Sequence, residues 1–163
     1  MKLLVLGSGG REHALAWKLH ESQQMDELYC APGNAGIAQE AECIPVDLSQ
    51  TKAIVELAKR LRVDLTIVGP EAPLVAGVVD EFERAGLAII GPNKAAARLE
   101  GSKIFAKEFM RRYGIPTARF AVAERFEEAV EALARFPLPV VVKADGLAAG
   151  KGVVVARSHM EAE

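Results

Sequence analysis

The 163-residue chain is poor in the features that mark secreted, membrane or nucleic-acid-binding proteins. It has two cysteines, Cys30 and Cys43, which form neither a CxxC pair nor a disulfide framework. Beside apolar neighbours they read as small buried hydrophobes, and a reducing, cytoplasmic setting is the expectation. No apolar run approaches the roughly 18 residues of a membrane span. The opening Met1–Leu6 carries one charge and is too short for a signal-peptide core. No membrane partner is therefore expected. Basic blocks are also missing: 20 Lys and Arg against 22 Asp and Glu leave a formal charge of −2. Electrostatic binding to nucleic acid has no support in that balance. Internal repeats and low-complexity linkers are absent.

What is present is apolar. Half of the residues are hydrophobic, enough for a core and too many for a disordered chain. Short apolar runs, Leu3–Leu6, Leu28–Cys30, Leu65–Val68 and Ala88–Ile90, alternate with segments of helical period. Those helices are predicted over Arg11–Ser22, over Ala53–Leu61 and over Leu74–Phe82. The β-α-β-α-β-α-β order predicts an α/β fold with a mostly parallel, Rossmann-like sheet and helices on both faces. After about residue 92 the pattern changes. Ser102 is placed to cap a helix bearing Phe105, Phe109 and Tyr113, and Gly114–Thr117 breaks it. A short strand is predicted near Arg119–Ala123, a helix over Phe126–Ala134, and strands at Val140–Lys143 and Val153–Ala156. The expected division is 1–101, a connecting helix and linker at 102–117, and a partial α+β unit at 118–163.

Two glycine-rich loops carry the chemistry. Gly7-Ser8-Gly9-Gly10 joins a strand to a helix, where backbone N–H groups favour an anion. A dinucleotide fingerprint fails because Glu12 stands at its third glycine, and no acid follows the second strand to hold a ribose. A nicotinamide-dependent oxidoreductase is thereby disfavoured, and a smaller phosphate-bearing ligand fits better. Three further loops share that sheet edge: Pro32-Gly33-Asn34, Gly69–Pro73 and Gly91-Pro92-Asn93. Glu71 is their one carboxylate. It reads either as a ligand for sugar hydroxyls or an amine, or as a first-turn acid complementing the helix dipole. Arg11 reads equally as an anion contact or a solvated charge, and His13 reads as a satisfied helical histidine. The second loop, Gly146–Gly152 between Lys143 and the last strand, is one residue short of a P-loop and lacks its Ser/Thr. It reads as a flap of small residues that closes over a triphosphate.

Six motifs carry a resemblance: Gly7–Ala14, Ala31–Gly36, Val68–Leu74, Leu99–Lys103, Gly114–Ala118 and Val142–Gly152. In this order they resemble the phosphoribosylamine–glycine ligase family of the ATP-grasp superfamily, from Met1 to about Ala156. The resemblance implies a pre-ATP-grasp domain followed by the start of an ATP-grasp small subdomain. It implies an ADP-forming carbon–nitrogen ligase of purine biosynthesis with ATP, glycine and phosphoribosylamine as small-molecule partners and Mg2+ as cofactor. In that activity glycine becomes an acyl phosphate, which the amine of phosphoribosylamine attacks.

For ATP, the resemblance implies Lys103, Lys143, Asp145, Gly146, Gly150, Lys151 and Gly152. For phosphoribosylamine it implies Gly9, Gly10 and Glu71, joined by Arg11, Asn34 and Pro70 from the same sheet edge. Asn93 stands where the family has Thr or Ser, a change that keeps a side-chain acceptor. The adenine hinge, acidic metal ligands and most of the glycine site are expected beyond residue 163, so no catalytic residue or metal ligand is assigned here. The chain alone is expected to be inactive or to need a complementing partner. A non-catalytic nucleotide-binding module or split-enzyme subunit is the alternative, and a monomer is the expected state.

Overall fold

The computed structural model describes residues 1–148 and 151–162. Met1–Arg98 and Leu99–Glu163 are two compact units.

The first unit is a five-stranded sheet. Its strands are β1 (Lys2–Gly7), β2 (Glu27–Pro32), β3 (Glu42–Cys43), β4 (Leu65–Val68) and β5 (Ile89–Ile90). They lie in the order β3-β2-β1-β4-β5, and every pairing is parallel. The register sets Leu3 beside Leu28 and Leu65, and Leu6 beside Ala31 and Val68. Between the strands come α1 (Gly10–His20), α2 (Thr51–Leu61), α3 (Glu71–Ala76) and α4 (Val78–Arg84).

Strand alternation divides the core into two layers. Leu4, Leu6, Tyr29 and Ala31 pack with Ile54, Leu57, Ala58, Val78 and Phe82 from α2 and α4. Leu3, Val5, Leu28 and Cys30 pack with Ala16 of α1 and Ile37. Burial on both faces explains why these strands read as continuous apolar runs. Phe82 is fully buried, and truncating it to Ala would cost about 3–5 kcal/mol.

The single helix expected over Leu74–Phe82 is two helices. Gly77 sits at φ +96°, ending α3 and starting α4: its N–H donates to Pro73 and Leu74 while its carbonyl accepts from Glu81. That left-handed backbone costs glycine little and any other residue more. Two short elements escaped the period argument. β3 is only two residues long, and α5 (Lys94–Gly101) follows Asn93, whose Oδ1 accepts from Ala96 N at 3.0 Å. The side-chain acceptor expected of Asn93 is thus in use.

The second unit contains α6 (Lys103–Arg112), α7 (Phe126–Leu133), the antiparallel pair β6 (Val140–Lys143) and β7 (Val153–Ala156), and α8 (His159–Ala162). The strand expected at Arg119–Ala123 does not form. Lys107 Nζ donates to Thr117 Oγ1 and to the Ala118 carbonyl, and the Phe120 ring lies under Lys107 and Arg111. Within that run α6 engages the Phe120 ring, and the two Lys107 hydrogen bonds fall just before it, on Thr117 and Ala118. α8 was not anticipated; Ser158 Oγ accepts from Glu161 N and supplies its start signal.

Candidate functional site

In the first unit, parallel pairing brings the loops after β1, β2 and β4 to one edge, where ligands of such sheets bind. Backbone bonds lock them: Gly33 N donates to Gly7 O at 3.0 Å, and Gly69 N donates to Leu6 O at 3.1 Å. Side chains add three further ties. Asn34 donates to Ser8 O at 2.7 Å and accepts from Gly36 N and Ile37 N through Oδ1. Arg11 Nη1 donates to Gly69 O at 2.5 Å. Glu12 Oε2 accepts from Gly9 N at 2.6 Å.

These ties give several expected residues definite tasks. Asn34 uses both ends of its amide within the protein, so it shapes the loop after β2. Arg11 bridges the helix start to the loop after β4, with the rest of its guanidinium exposed. Gly10 opens α1 with nothing within 4 Å of where a Cβ would stand. Pro70 precedes α3 with extended backbone, and Glu71 is its first residue, partly buried and without a hydrogen-bond partner among the described residues. His13 packs its ring against Gly36.

Glu12 is the residue that sequence reasoning passed over. It registered only as a missing third glycine, yet Glu12 is 5% exposed and its carboxylate folds back under the loop to Gly9 N. A Cβ on Gly7, Gly9 or Gly69 would run into this side chain. Glutamate three residues after an N-cap is half of a capping box, the one signal that would have found it.

The thiols lie beneath the same edge. Cys30 Sγ donates to Gly7 O at 3.4 Å and Cys43 Sγ to Asn34 O at 3.7 Å. Burial, with a smaller contribution from Cys43, pushes the Cys30 thiol up to about 11. Cys30 is the buried hydrophobe expected; Cys43 is partly exposed.

In the second unit the flap residues meet the start of α6. Ser102, the N-cap of α6, accepts from Phe105 N and donates to both oxygens of Asp145 at 3.0 and 3.2 Å. Asp145 also accepts from Ile104 N at 3.1 Å, and this bond above all, then Ser102, holds its carboxyl below the usual range. Lys103 Nζ donates to Gly146 O at 2.7 Å. Ala144 N donates to Gly152 O and Lys151 N to Ala148 O, closing the base of the hairpin. Lys143 ends β6 opposite Val153, exposed, as is Lys151. Of the expected ATP residues, Lys103, Asp145, Gly146 and Gly152 are thus joined around one hairpin base. Gly150 lies outside the described residues. Among the described residues no three His, Cys, Asp or Glu side chains are grouped to hold a metal. Nor is any helix long and apolar enough to cross a membrane, among those residues.

Comparison with known proteins agrees with this layout. The profile of the phosphoribosylglycinamide synthetase N domain matches residues 1–100, and that of its ATP-grasp (A) domain matches residues 101–163. The chain is 53% identical over its whole length to a phosphoribosylamine–glycine ligase of Clostridium acetobutylicum, of which it covers 39%. It is 56% identical to a relative of the same name from Xylella fastidiosa, covering 38% of it. The crystal structure of phosphoribosylamine–glycine ligase from Thermotoga maritima superposes with a TM-score of 0.77 at 40% identity, over 99% of this chain and 37% of that one. The chain therefore spans less than two-fifths of these relatives' length, and it belongs to the phosphoribosylglycinamide synthetase family.

Proposed function

We propose that this chain is the N-terminal portion of an ATP-dependent ligase that joins glycine to 5-phosphoribosylamine. The products are glycinamide ribonucleotide, ADP and phosphate. Glycine's carboxylate attacks the γ-phosphorus of ATP, ADP leaves, and glycyl phosphate forms. The amine nitrogen of phosphoribosylamine then attacks the acyl carbon, and phosphate departs as the nitrogen loses a proton.

The observation that carries this reading is the lysine-bearing hairpin tied at its base to α6. Lys103, held on Gly146 O, joins the start of α6 to the flap. Lys143 and Lys151 stand exposed on the two sides of the flap. Cations on a small-residue hairpin suit a triphosphate, whose charge they neutralise. The strand-end loops of the first unit, with Arg11 and Glu71, suit the sugar phosphate and its amine. ATP and Mg2+ are the family's cofactors by the same reading, with the metal ligands contributed from outside this chain. The chain alone is expected to be inactive, in a reducing cytoplasmic setting.

The test is a chimera joining this chain to the remaining C-terminal length of the Clostridium acetobutylicum relative. It should turn over ATP only when glycine and phosphoribosylamine are present. Lys143→Ala should lower kcat/KM for ATP at least tenfold, and unchanged turnover would remove the phosphate role. Glu71→Ala should raise KM for phosphoribosylamine; an effect confined to ATP contradicts its assignment. A non-catalytic binding module would bind nucleotide in this chimera without any glycine-dependent turnover.

A further inference from the structure

Glu12 is the one charged side chain buried among the described residues, and the capping box accounts for only half of it. Oε2 takes the Gly9 N–H. Oε1 accepts no hydrogen bond from the described residues, and no cation among them stands within ion-pair distance of the carboxylate. Arg11, its neighbour in sequence, directs Nη1 to Gly69 O instead. The position of Oε1 is nevertheless tightly set. A Cβ on Gly69 would overlap it, and a Cβ on Gly7 would lie 2.5–2.9 Å from the side chain's Cγ, Cδ and Oε2. Backbone from β1 and from the loop after β4 therefore closes around one carboxylate. Oε1 is not among the fully buried unsatisfied atoms, so this fixed, unfilled acceptor is open to a donor brought by a ligand.

The same carboxylate changes what the first glycine loop can bind. Its Gly9 N–H is already occupied, and a buried negative charge lies at the start of α1. An oxyanion there would meet repulsion where the bare motif promised attraction. Glu71, the second carboxylate of this edge, has no partner among the described residues and follows directly on Gly69 and Pro70. Both features favour a ligand group that donates.

We infer that Glu12 is a substrate-binding residue that selects the amine: Oε1 accepts an N–H of an aminosugar phosphate and discriminates against the sugar phosphate carrying a hydroxyl instead. This rests on the proposed placement of phosphoribosylamine in the first unit. An acceptor of this kind holds an amine by one N–H and leaves the nitrogen lone pair free for attack. The phosphate end belongs toward the exposed part of the Arg11 guanidinium.

Glu12→Gln provides a clean test. Its single carbonyl oxygen must still serve the Gly9 N–H, which turns the amide N–H toward the place of Oε1 and sets donor against donor. Binding of the carbocyclic analogue of phosphoribosylamine and of ribose 5-phosphate to the 163-residue chain is measured by calorimetry. The natural chain should prefer the amine analogue at least tenfold, and Glu12→Gln should reduce that preference below threefold with ribose 5-phosphate binding retained. A preference that survives Glu12→Gln overturns the inference alone. Failure of the natural chain to bind either compound overturns the sugar-phosphate reading of the first unit, and the inference with it. Should Glu12→Gln fail to fold, residue-resolved carbon NMR of the natural chain decides. The Glu12 carboxyl carbon should shift with the amine analogue and stay fixed with ribose 5-phosphate; equal responses overturn the inference.

Discussion

Ser102 and Asp145 cap α6 together: the Ser102 hydroxyl serves Phe105 N, and Asp145 takes the neighbouring Ile104 N while accepting from that same hydroxyl. A residue 43 positions away thus completes a helix terminus, and the base of the lysine-bearing hairpin is held by the same carboxylate. Losing a side-chain cap costs about 1 kcal/mol. Asp145→Asn should weaken amide protection of Ile104 and Phe105 in hydrogen exchange while leaving amides of α2 unchanged. Equal protection in both proteins would show that Asp145 does not anchor this end.

The same contact predicts a pH dependence. The Asp145 carboxyl is held below its ordinary value, chiefly by the Ile104 N–H. A depressed folded-state value means the stabilisation is complete above the unfolded value, near 4, and is lost as pH falls through the folded value. The stability gap between the natural chain and Asp145→Asn should therefore be full at pH 7 and should close below about pH 4. The Ile104 amide proton shift, followed by NMR titration, should report the midpoint. A midpoint at or above about 4 would contradict the cap.

Thr66 lies at the centre of β4, fully buried, and its Oγ1 has no hydrogen-bond partner among the described residues. An unsatisfied buried hydroxyl costs about 1–3 kcal/mol, and Val has nearly the same shape. Thr66→Val should stabilise the first unit by about 1 kcal/mol. Trp17, the single tryptophan, sits on α1 of that unit and gives a local fluorescence signal for urea denaturation. A lower midpoint for Thr66→Val would show that the hydroxyl has a partner.

Much of this was legible in the residues, and the failures have physical causes. The strands of the first unit announce themselves because burial on both faces demands unbroken apolar runs, as in Leu3–Leu6 and Leu65–Val68. Gly77 hid inside a helical period, since period records which face is buried and not where the backbone reverses. The Arg119–Ala123 run has strand-like residues, but it pairs with no strand and its Phe120 ring lies under Lys107 and Arg111 of α6. Glu12 was read as a motif failure because sequence does not say whether a carboxylate points to water or back beneath its own loop. The hairpin lysines were found by position, whereas the cap that holds Asp145 required the fold.

Cys30 and Cys43 are register partners on adjacent parallel strands with different exposure. Burial lifts the Cys30 thiol to about 11, so almost none is thiolate near neutrality. Iodoacetamide at pH 7.5 should label Cys43 first, and Cys30 only at the rate of unfolding. Mass mapping after partial reaction checks this; equal labelling of both thiols would contradict the burial of Cys30.

Gly10 and Gly69 look alike in sequence and should respond oppositely to alanine. Gly10 is the first residue of α1 with open space at its Cβ position, so Gly10→Ala should stabilise by about 0.5–1 kcal/mol through helix propensity and a less flexible unfolded chain. Gly69 adopts backbone that alanine tolerates, but the added methyl would overlap the Glu12 carboxylate. With β1 and the loop after β4 on either side, that side chain has little room to withdraw, and overpacking of this kind costs about 1–3 kcal/mol. The cost belongs to the pair rather than to Gly69, which a double-mutant cycle can isolate. In a Glu12→Ala background, Gly69→Ala should cost less than about 0.5 kcal/mol, because the methyl then enters space the carboxylate has left. Urea denaturation followed through Trp17 measures all four proteins. If Gly69→Ala is equally costly in both backgrounds, the loop after β4 needs glycine for its own backbone, and Glu12 is not what keeps that position bare.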